Sequence, residues 1–573
     1  MPIWTSAKAS TIASAALYVV ALALCAQAQA ADEANVAWLR DGQVQSRTLT
    51  AGTVPPAGAS AGTPNDTVPL GSLWKLFVYA YLADTHAQES AYQCAANANT
   101  VSGGEERYCC DPGERVERDA ALARSCAPYF APERLGLGAK AWQSHWQPRT
   151  AFTWLLDVHG LQPQTEVPVG ELLQALASIS PQARAKARNA LLQTGLEGYG
   201  REAWTRMGTG MRYKTYSWHR ADGSAFGGAA GWLADGTPFW FGARGSSRST
   251  LTRWAGQLAA SLPEPRWPDA GHGADDTSCV DVDFFARYPL RTVLLDRANT
   301  PARAGDLNGR YRLQFENGNW LSVQAQGSLA LSQNQDGPPR INGRFSVNDY
   351  VARVVDREGN AKSPQAARAM AIAARSYLVQ NAHFEGGCWH IADASNTQRV
   401  SPNPPTNDAL AAAWFTDDVV LTGVPVHYHT NVPGPNRMAV REALARADAG
   451  WDFERILSAS YPRATLGTVQ GRLECARLDA AEHWLTQASA AWQSTLRREP
   501  GFEALDAPPR ICALADGHPY SDQRRMRIYV RGWRSLDERV TLAHEYLHLA
   551  LRFHPNGANE NYVERLARRL IEG

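Results

Sequence analysis

The sequence predicts a multidomain α+β protein, and three observations carry that expectation. The chain has 573 residues, which at about 100–200 residues per domain means roughly three to five domains. Hydrophobic residues make up 44% and charged residues 20%, an ordinary globular balance with apolar material for several cores. A Pro/Gly/Asp-rich stretch, "SLPEPRWPDAGHGADDTS", divides a first region from a second. Within the second region strand-like pieces come first and helical ones after.

The elements follow in chain order. Lys8, the apolar run Ala13–Cys25 and "AQAQA" read as a secretory signal peptide over residues 1–30, with a small-x-small cleavage site at its end. A lipid anchor on Cys25 is the weaker alternative, because Leu24 is large where such signals place a small residue. The first domain spans residues 31–260, a linker 261–278, the second domain 279–469 and the third 470–573. No later stretch reaches the roughly 18 apolar residues that span a bilayer, so the mature chain is expected to be exported, in the periplasm or beyond, with no membrane span.

Net charge is +1 with no long run of one sign. That balance argues against a nucleic-acid partner or a membrane-surface patch. Without Cys25, eight cysteines remain: Cys94, Cys109, Cys110, Cys126, Cys279, Cys388, Cys475 and Cys512. An even count in an exported chain predicts disulfides. At least one local bridge is expected within Cys94–Cys126, and Cys475 can pair with Cys512. Cys388 is expected to pair with Cys279 or to be a buried thiol.

In the first domain, "VPLGSLWKLFVYAYLAD" sets Ser72 and Lys75 three residues apart at the start of an apolar helix. Lys75 then reaches the Ser72 hydroxyl from the same face. Apolar neighbours desolvate a lysine and favour the neutral amine, which can accept the serine proton. The region resembles the penicillin-binding proteins and serine β-lactamases, marked by SxxK, SxN and KTG. "GSLWKLF" carries the first mark, "ALARSCAPYF" the second with Ser125, and "RYKTYSW" the third with Lys214 and Thr215. The resemblance implies a β-lactamase/transpeptidase-like domain with Ser72 as nucleophile. Ala127 stands where the family has Asn, and Tyr216 where it has Gly, a size expected to crowd the acyl cleft.

The second domain contains "INGRFSVNDYVARVVDREGNAKSPQAARAMAIAARSYL". This resembles the sporulation stage II protein D and amidase-enhancer family. There a strand with the pattern Y-x-x-x-V-V-x-x-E precedes a helix rich in Ala, Arg and Tyr. "SNTQRV" and "GWDFERILSASYP" echo two later elements of that family. The resemblance implies a mixed α+β domain that cleaves glycan strands with Glu358. One carboxylic acid suits lytic transglycosylation, where the sugar's own hydroxyl attacks. Read without the resemblance, Glu358 is a solvated loop charge beside Asp356 and Arg357. Cys388 and His390 are too few for a zinc site of their own.

In the third domain, "TLAHEYLHLALRFH" puts His544 and His548 four apart on a helix, one above the other. Two imidazoles on one face can hold a metal, with Glu545 as general base toward a water. A third protein ligand is needed. His554 ranks second for it, since six helical residues turn it roughly 240° away. "NENYVERLARRL" reads as a helix from near Asn559 bearing Glu560 and Glu564. The pattern resembles the gluzincin peptidases. This resemblance implies a small zincin-like domain binding zinc through His544, His548 and Glu560, with Glu564 orienting a ligand histidine. The two glutamates can exchange these roles. "RMRIYVRG" is expected to be the edge strand lining the substrate cleft.

As a whole the chain resembles a family of predicted secreted bacterial proteins often encoded beside bacterial alpha-2-macroglobulins. Three function classes are carried forward. One is an exported peptidoglycan-processing hydrolase, acting on peptidoglycan or peptide, with a C-terminal zinc-dependent amide-bond hydrolase site and a middle domain that cleaves or binds glycan. The second is a secreted metalloprotease acting on proteins. The third is a non-catalytic wall-binding or defence-accessory protein with degenerate sites.

Overall fold

The computed structural model describes residues 33–52, 60–61, 67–94, 115–196, 201–219, 223–266, 279–333, 337–422, 424–429, 431–434, 436–469, 478–502, 504–505, 508–514, 519–522, 526–557 and 559–572. The signal peptide, Cys109, Cys110, Cys475 and most of the linker lie outside the described residues.

The first region is built on an antiparallel sheet. Its strand order is Ser60–Ala61, Gln43–Thr50, Glu33–Arg40, Pro238–Arg244, Ala225–Trp232, Arg212–His219. Residues alternate across a strand, so Val36 and Trp38 join Phe239, Phe241 and the helix Ser247–Ser261 on one face. Ala37, Ala230 and Trp240 join a helical layer on the other. The helix Trp74–Asp84 lies in that layer. It is apolar nearly all round and buries nine of its eleven residues, from Trp74 to Ala83, as such helices must. Its entry turn Gly71–Leu73 packs against the strand Arg212–His219. Gly71 is obligatory there. Its φ is +47°, and a Cβ would meet the Ser217 carbonyl oxygen at 3.1 Å and Tyr216 Cβ at 3.2 Å.

The second region centres on a seven-stranded sheet. The order is Leu290–Leu295, Gly305–Phe315, Trp320–Ser332, Arg340–Ser346, Cys279–Phe284, Cys388–Ala392, His383–Glu385. Cys279 and Cys388 face each other across its one parallel pair and form a disulfide. Cys94, Cys126 and Cys512 are disulfide-bonded as well. One expectation is corrected here. Tyr350–Glu358 is helical, within Val347–Glu358, and not a strand. Ser346 caps this helix by accepting the Asp349 N–H, and Tyr350, Val351, Val354 and Val355 form its buried stripe. Pairs repeating at four residues fit a helix period, which outranks the β preference of valine. The Ala-rich helix Pro364–Asn381 packs beside it, deep in the core.

The first two regions meet along a packed seam. Trp204 lies edge-on to Phe453 with ring centroids 5.1 Å apart. Arg212 Nη2 donates to Asp417 Oδ2 at 2.9 Å and is 3.4 Å from Asp418 Oδ2.

The third region has a three-stranded sheet ordered Arg510–Ala513, Arg527–Val530, Tyr520–Asp522. Three helices, Asp479–Leu496, Leu536–Ala550 and Glu560–Glu572, share a core with it. Here too an expectation is corrected. Arg527–Val530 is the central strand, and the antiparallel edge is Tyr520–Asp522. A parallel partner from 510–513, which precedes the local hairpin, takes the position on the other side.

Candidate functional site

The helix Leu536–Ala550 begins with a capping box: Ser535 accepts the Glu538 N–H, and the Glu538 carboxylate accepts the Ser535 N–H. This end fixes the helix phase and sets the His544 and His548 rings 4.8 Å apart. His548 Nδ1 is 2.9 Å from the Gly557 carbonyl oxygen. A carbonyl only accepts, so Nδ1 carries the proton. His544 Nδ1 likewise faces Glu564 Oε2 at 3.0 Å. Both Nε2 atoms therefore turn inward in the neutral rings. They lie 3.0 Å apart, and Glu560 Oε2 is 3.1 Å from His544 Nε2 and 3.7 Å from His548 Nε2. Three acceptors facing one another repel unless a proton or a cation lies among them.

The electrostatics follow from that geometry. When the rings are protonated, hydrogen bonds from His544 and then His548 hold the Glu560 carboxyl well below the usual carboxylate range. Burial works to lower His548, but Glu560 and Glu545 together raise it. Glu545 is almost fully buried, and burial pushes its carboxyl up against the pull of the two histidines. It also hydrogen-bonds Ser521 of the edge strand. Gly557 is essential to the turn that brings Glu560 round, because a Cβ there would meet the Leu551 carbonyl oxygen at 2.0 Å.

His554 does not join this cluster, which corrects its ranking as a possible ligand. The helix ends at Ala550, and a turn carries His554 into a separate buried group. Its ring stacks on Tyr562 at 4.9 Å, Nδ1 accepts the Asn556 N–H, and Nε2 is 3.8 Å from Glu499.

In the first region, Lys75 is fully buried. Its Nζ donates to Ser72 Oγ at 2.8 Å and to Ser125 Oγ at 3.2 Å. Ser125 follows the helix Arg118–Ala123 and has φ +60°, a left-handed conformation that costs a non-glycine residue about 1–3 kcal/mol. Lys214 is also buried and donates from Nζ to the Thr215 carbonyl at 3.1 Å. Ala127 opens the short helix Ala127–Phe130. Tyr216 does not fill a cleft as its size led us to expect. It is buried in the core beneath Gly71, and its hydroxyl accepts the Trp240 Nε1–H at 2.8 Å.

In the second region, Glu358 ends the helix Val347–Glu358 and is half-buried rather than a solvated loop charge. The Tyr428 hydroxyl donates to Glu358 Oε2 at 2.8 Å. Gln398 Nε2 donates to the Tyr428 oxygen at 2.7 Å, and the Tyr350 hydroxyl donates to Gln398 Oε1. Burial pushes the Glu358 carboxyl above its ordinary value, against the Tyr428 hydrogen bond. Sequence reading missed Tyr428, which lies 70 residues on in no motif. Gln398 sits within the quoted "SNTQRV" without an assigned role. Ser521 and the Gly557 carbonyl carried no signal.

These features define a disulfide-bonded, multidomain α+β protein with three separate constellations of catalytic residue types. The family described as "Predicted secreted protein (DUF2300)" matches residues 102–223 and 436–556. The "Stage II sporulation protein" family matches residues 340–420, a segment that contains Glu358. The chain is 41% identical over 508 residues to "Uncharacterized protein YfaQ" of Escherichia coli (strain K12), covering 88% of this chain and 90% of that protein. At that identity and coverage the chain belongs to the YfaQ family. The family description and the disulfides place the protein outside the cytoplasm. Among the described residues no helix is long and apolar enough to cross a membrane.

Solved structures with some likeness include a chromosome-encoded β-lactamase mutant of Vibrio parahaemolyticus. It is 11% identical, with TM-score 0.26, covering 42% of this chain and 97% of that one. A peptidoglycan glycosyltransferase from Burkholderia ambifaria is 12% identical, with TM-score 0.29, covering 45% and 96%. Scores this low carry no argument.

Proposed function

We propose that the protein is an exported peptidoglycan-processing hydrolase. Its C-terminal domain cleaves amide bonds with a zinc ion held by His544, His548 and Glu560. The observation that carries this reading is the convergence of those three donor atoms within 4.8 Å of one another. Tetrahedral zinc with bonds of about 2.0–2.2 Å needs donors about 3.3 Å apart, and the separations of 3.0, 3.1 and 3.7 Å bracket that value. Bound there, zinc supplies Lewis acidity toward a carbonyl oxygen and toward water. The rest falls to the chain's own groups. Glu564 and the Gly557 carbonyl fix the histidine tautomers. Glu545, its carboxyl raised by burial, takes the proton of the attacking water and passes it to the departing nitrogen.

The middle domain acts on glycan through Glu358. A carboxyl raised by burial keeps its proton longer and suits a general acid toward a glycosidic oxygen. The sporulation-family match over that segment supports a cell-wall role. The N-terminal domain engages peptide stems at the Ser72, Lys75 and Ser125 cluster, where a buried amine next to a hydroxyl favours acyl transfer.

Zymography on purified cell wall tests the proposal. The zinc-loaded, disulfide-bonded protein is expected to clear the wall, and the Glu545→Gln variant to lose the amide-cleaving part of that activity. Cleavage of casein without clearing of wall would mean a protein-directed metalloprotease instead.

A further inference from the structure

The middle domain reaches into the proposed metal site. Arg463 Nη1 lies 3.8 Å from Glu560 Oε2, although the two residues belong to different domains. Its backbone sits on a rigid base. The helix Phe453–Ser460 ends just before it, and the strand Thr465–Thr468 begins just after, paired with Val419–Thr422. Buried Tyr461 anchors the turn by donating its hydroxyl to the His427 carbonyl at 2.6 Å. The guanidinium end stays open, with 60% of the side chain exposed.

The charges around it leave it one task. Glu545, Glu560 and Glu564 crowd the site with carboxylates. Arg568 is already committed to Glu564 at 2.9 Å and to Glu572 at 3.2 Å. Among the described residues Arg463 pairs with no carboxylate other than Glu560. Beside the proposed zinc, Arg463 adds a cationic side chain at the mouth of the site, which favours an anionic substrate group there. A guanidinium takes a carboxylate through two parallel hydrogen bonds.

We propose that Arg463 is the substrate-carboxylate receptor of the C-terminal site, so that the substrate is a peptide with a free carboxylate beside the bond cut. This rests on the zinc-site reading and adds the substrate class to it. The spacing sets the distance. Adding about 2.9 Å for a charge-assisted hydrogen bond to the 3.8 Å contact puts a carboxylate oxygen held by Nη1 within about 7 Å of Glu560 Oε2, the proposed metal ligand, and so close to the bond cut. Such a site trims a short piece from a carboxyl terminus, and the middle domain supplies the specificity.

The test uses the full zinc-loaded chain carrying Glu545→Gln, which slows turnover at the C-terminal site, and Ser72→Ala, which prevents acylation at the N-terminal one, so that binding is read directly. Calorimetry compares the tripeptide acetyl-Lys-D-Ala-D-Ala with its C-terminal amide. The acid is expected to bind at least about tenfold tighter. Arg463→Ala is expected to erase that preference while zinc uptake is unchanged, and Arg463→Lys to keep part of it. Normal zinc uptake with equal affinity for acid and amide, or with neither bound, overturns the inference alone. So does an unchanged preference in Arg463→Ala. Absence of zinc uptake overturns the site reading and the inference with it.

Discussion

His544 Nδ1 lies 3.0 Å from Glu564 Oε2, twenty residues further along the chain. This contact turns the Nε2 lone pair of His544 toward His548 and Glu560. Such orienting carboxylates typically affect metal affinity by about 10–100-fold. Glu564→Gln is therefore expected to weaken zinc binding by that factor and leave the helix intact, as competition with a fluorescent chelator would read.

Glu545 lies beside the three donors and interacts electrostatically with His548, His544 and Glu560. Glu545→Gln is expected to retain zinc and to lose roughly 10²–10⁴-fold in amide hydrolysis. Zinc content and turnover of a wall peptide, measured on one preparation, separate the two effects. Loss of zinc in this variant would mean that Glu545 is a ligand rather than a base.

Glu358 predicts a pH effect on stability. Its carboxyl is raised in the folded state above the ordinary 4.5, chiefly by burial. The folded chain therefore holds that proton more tightly than the unfolded chain. The resulting stabilisation is fully present below about pH 4.5 and is lost as pH rises through the folded value. Glu358→Gln keeps an acceptor for Tyr428 and removes the titration. Its Tm is expected to fall less than that of the parent as pH is raised from 4 to 7. Parallel melting curves in that window would check this.

The Cys279–Cys388 disulfide closes a separation of 109 residues. The chain-entropy account gives about 4–5 kcal/mol for such a loop, with about 2–5 kcal/mol typical on removal. Cys388→Ser is expected to lower the denaturant midpoint of the middle domain by a corresponding amount. The zinc stoichiometry of the C-terminal domain should be unchanged.

Local patterns carried most of what the sequence revealed. His544 and His548 were readable because four residues make one helical turn, and Glu560 because its helix follows within one short turn. Ser72 and Lys75 were readable for the same reason. The strand expected at Tyr350–Glu358 came with the family resemblance, whereas the segment's own residue period is helical. The order of the C-terminal sheet was hidden because the strand Arg510–Ala513 inserts from outside the local hairpin. Tyr428 meets Glu358, and Arg463 meets Glu560, only through tertiary packing. No spacing rule links residues 70 or 97 positions apart.

The metal content of the purified, exported chain tests the central claim most directly. Elemental analysis after exhaustive dialysis is expected to give about one zinc per chain for the parent and essentially none for His544→Ala or Glu560→Ala, with the far-ultraviolet circular dichroism of all three alike. A parent chain that binds no zinc from a zinc-containing buffer, or a His544→Ala chain that keeps a full equivalent, would contradict the account.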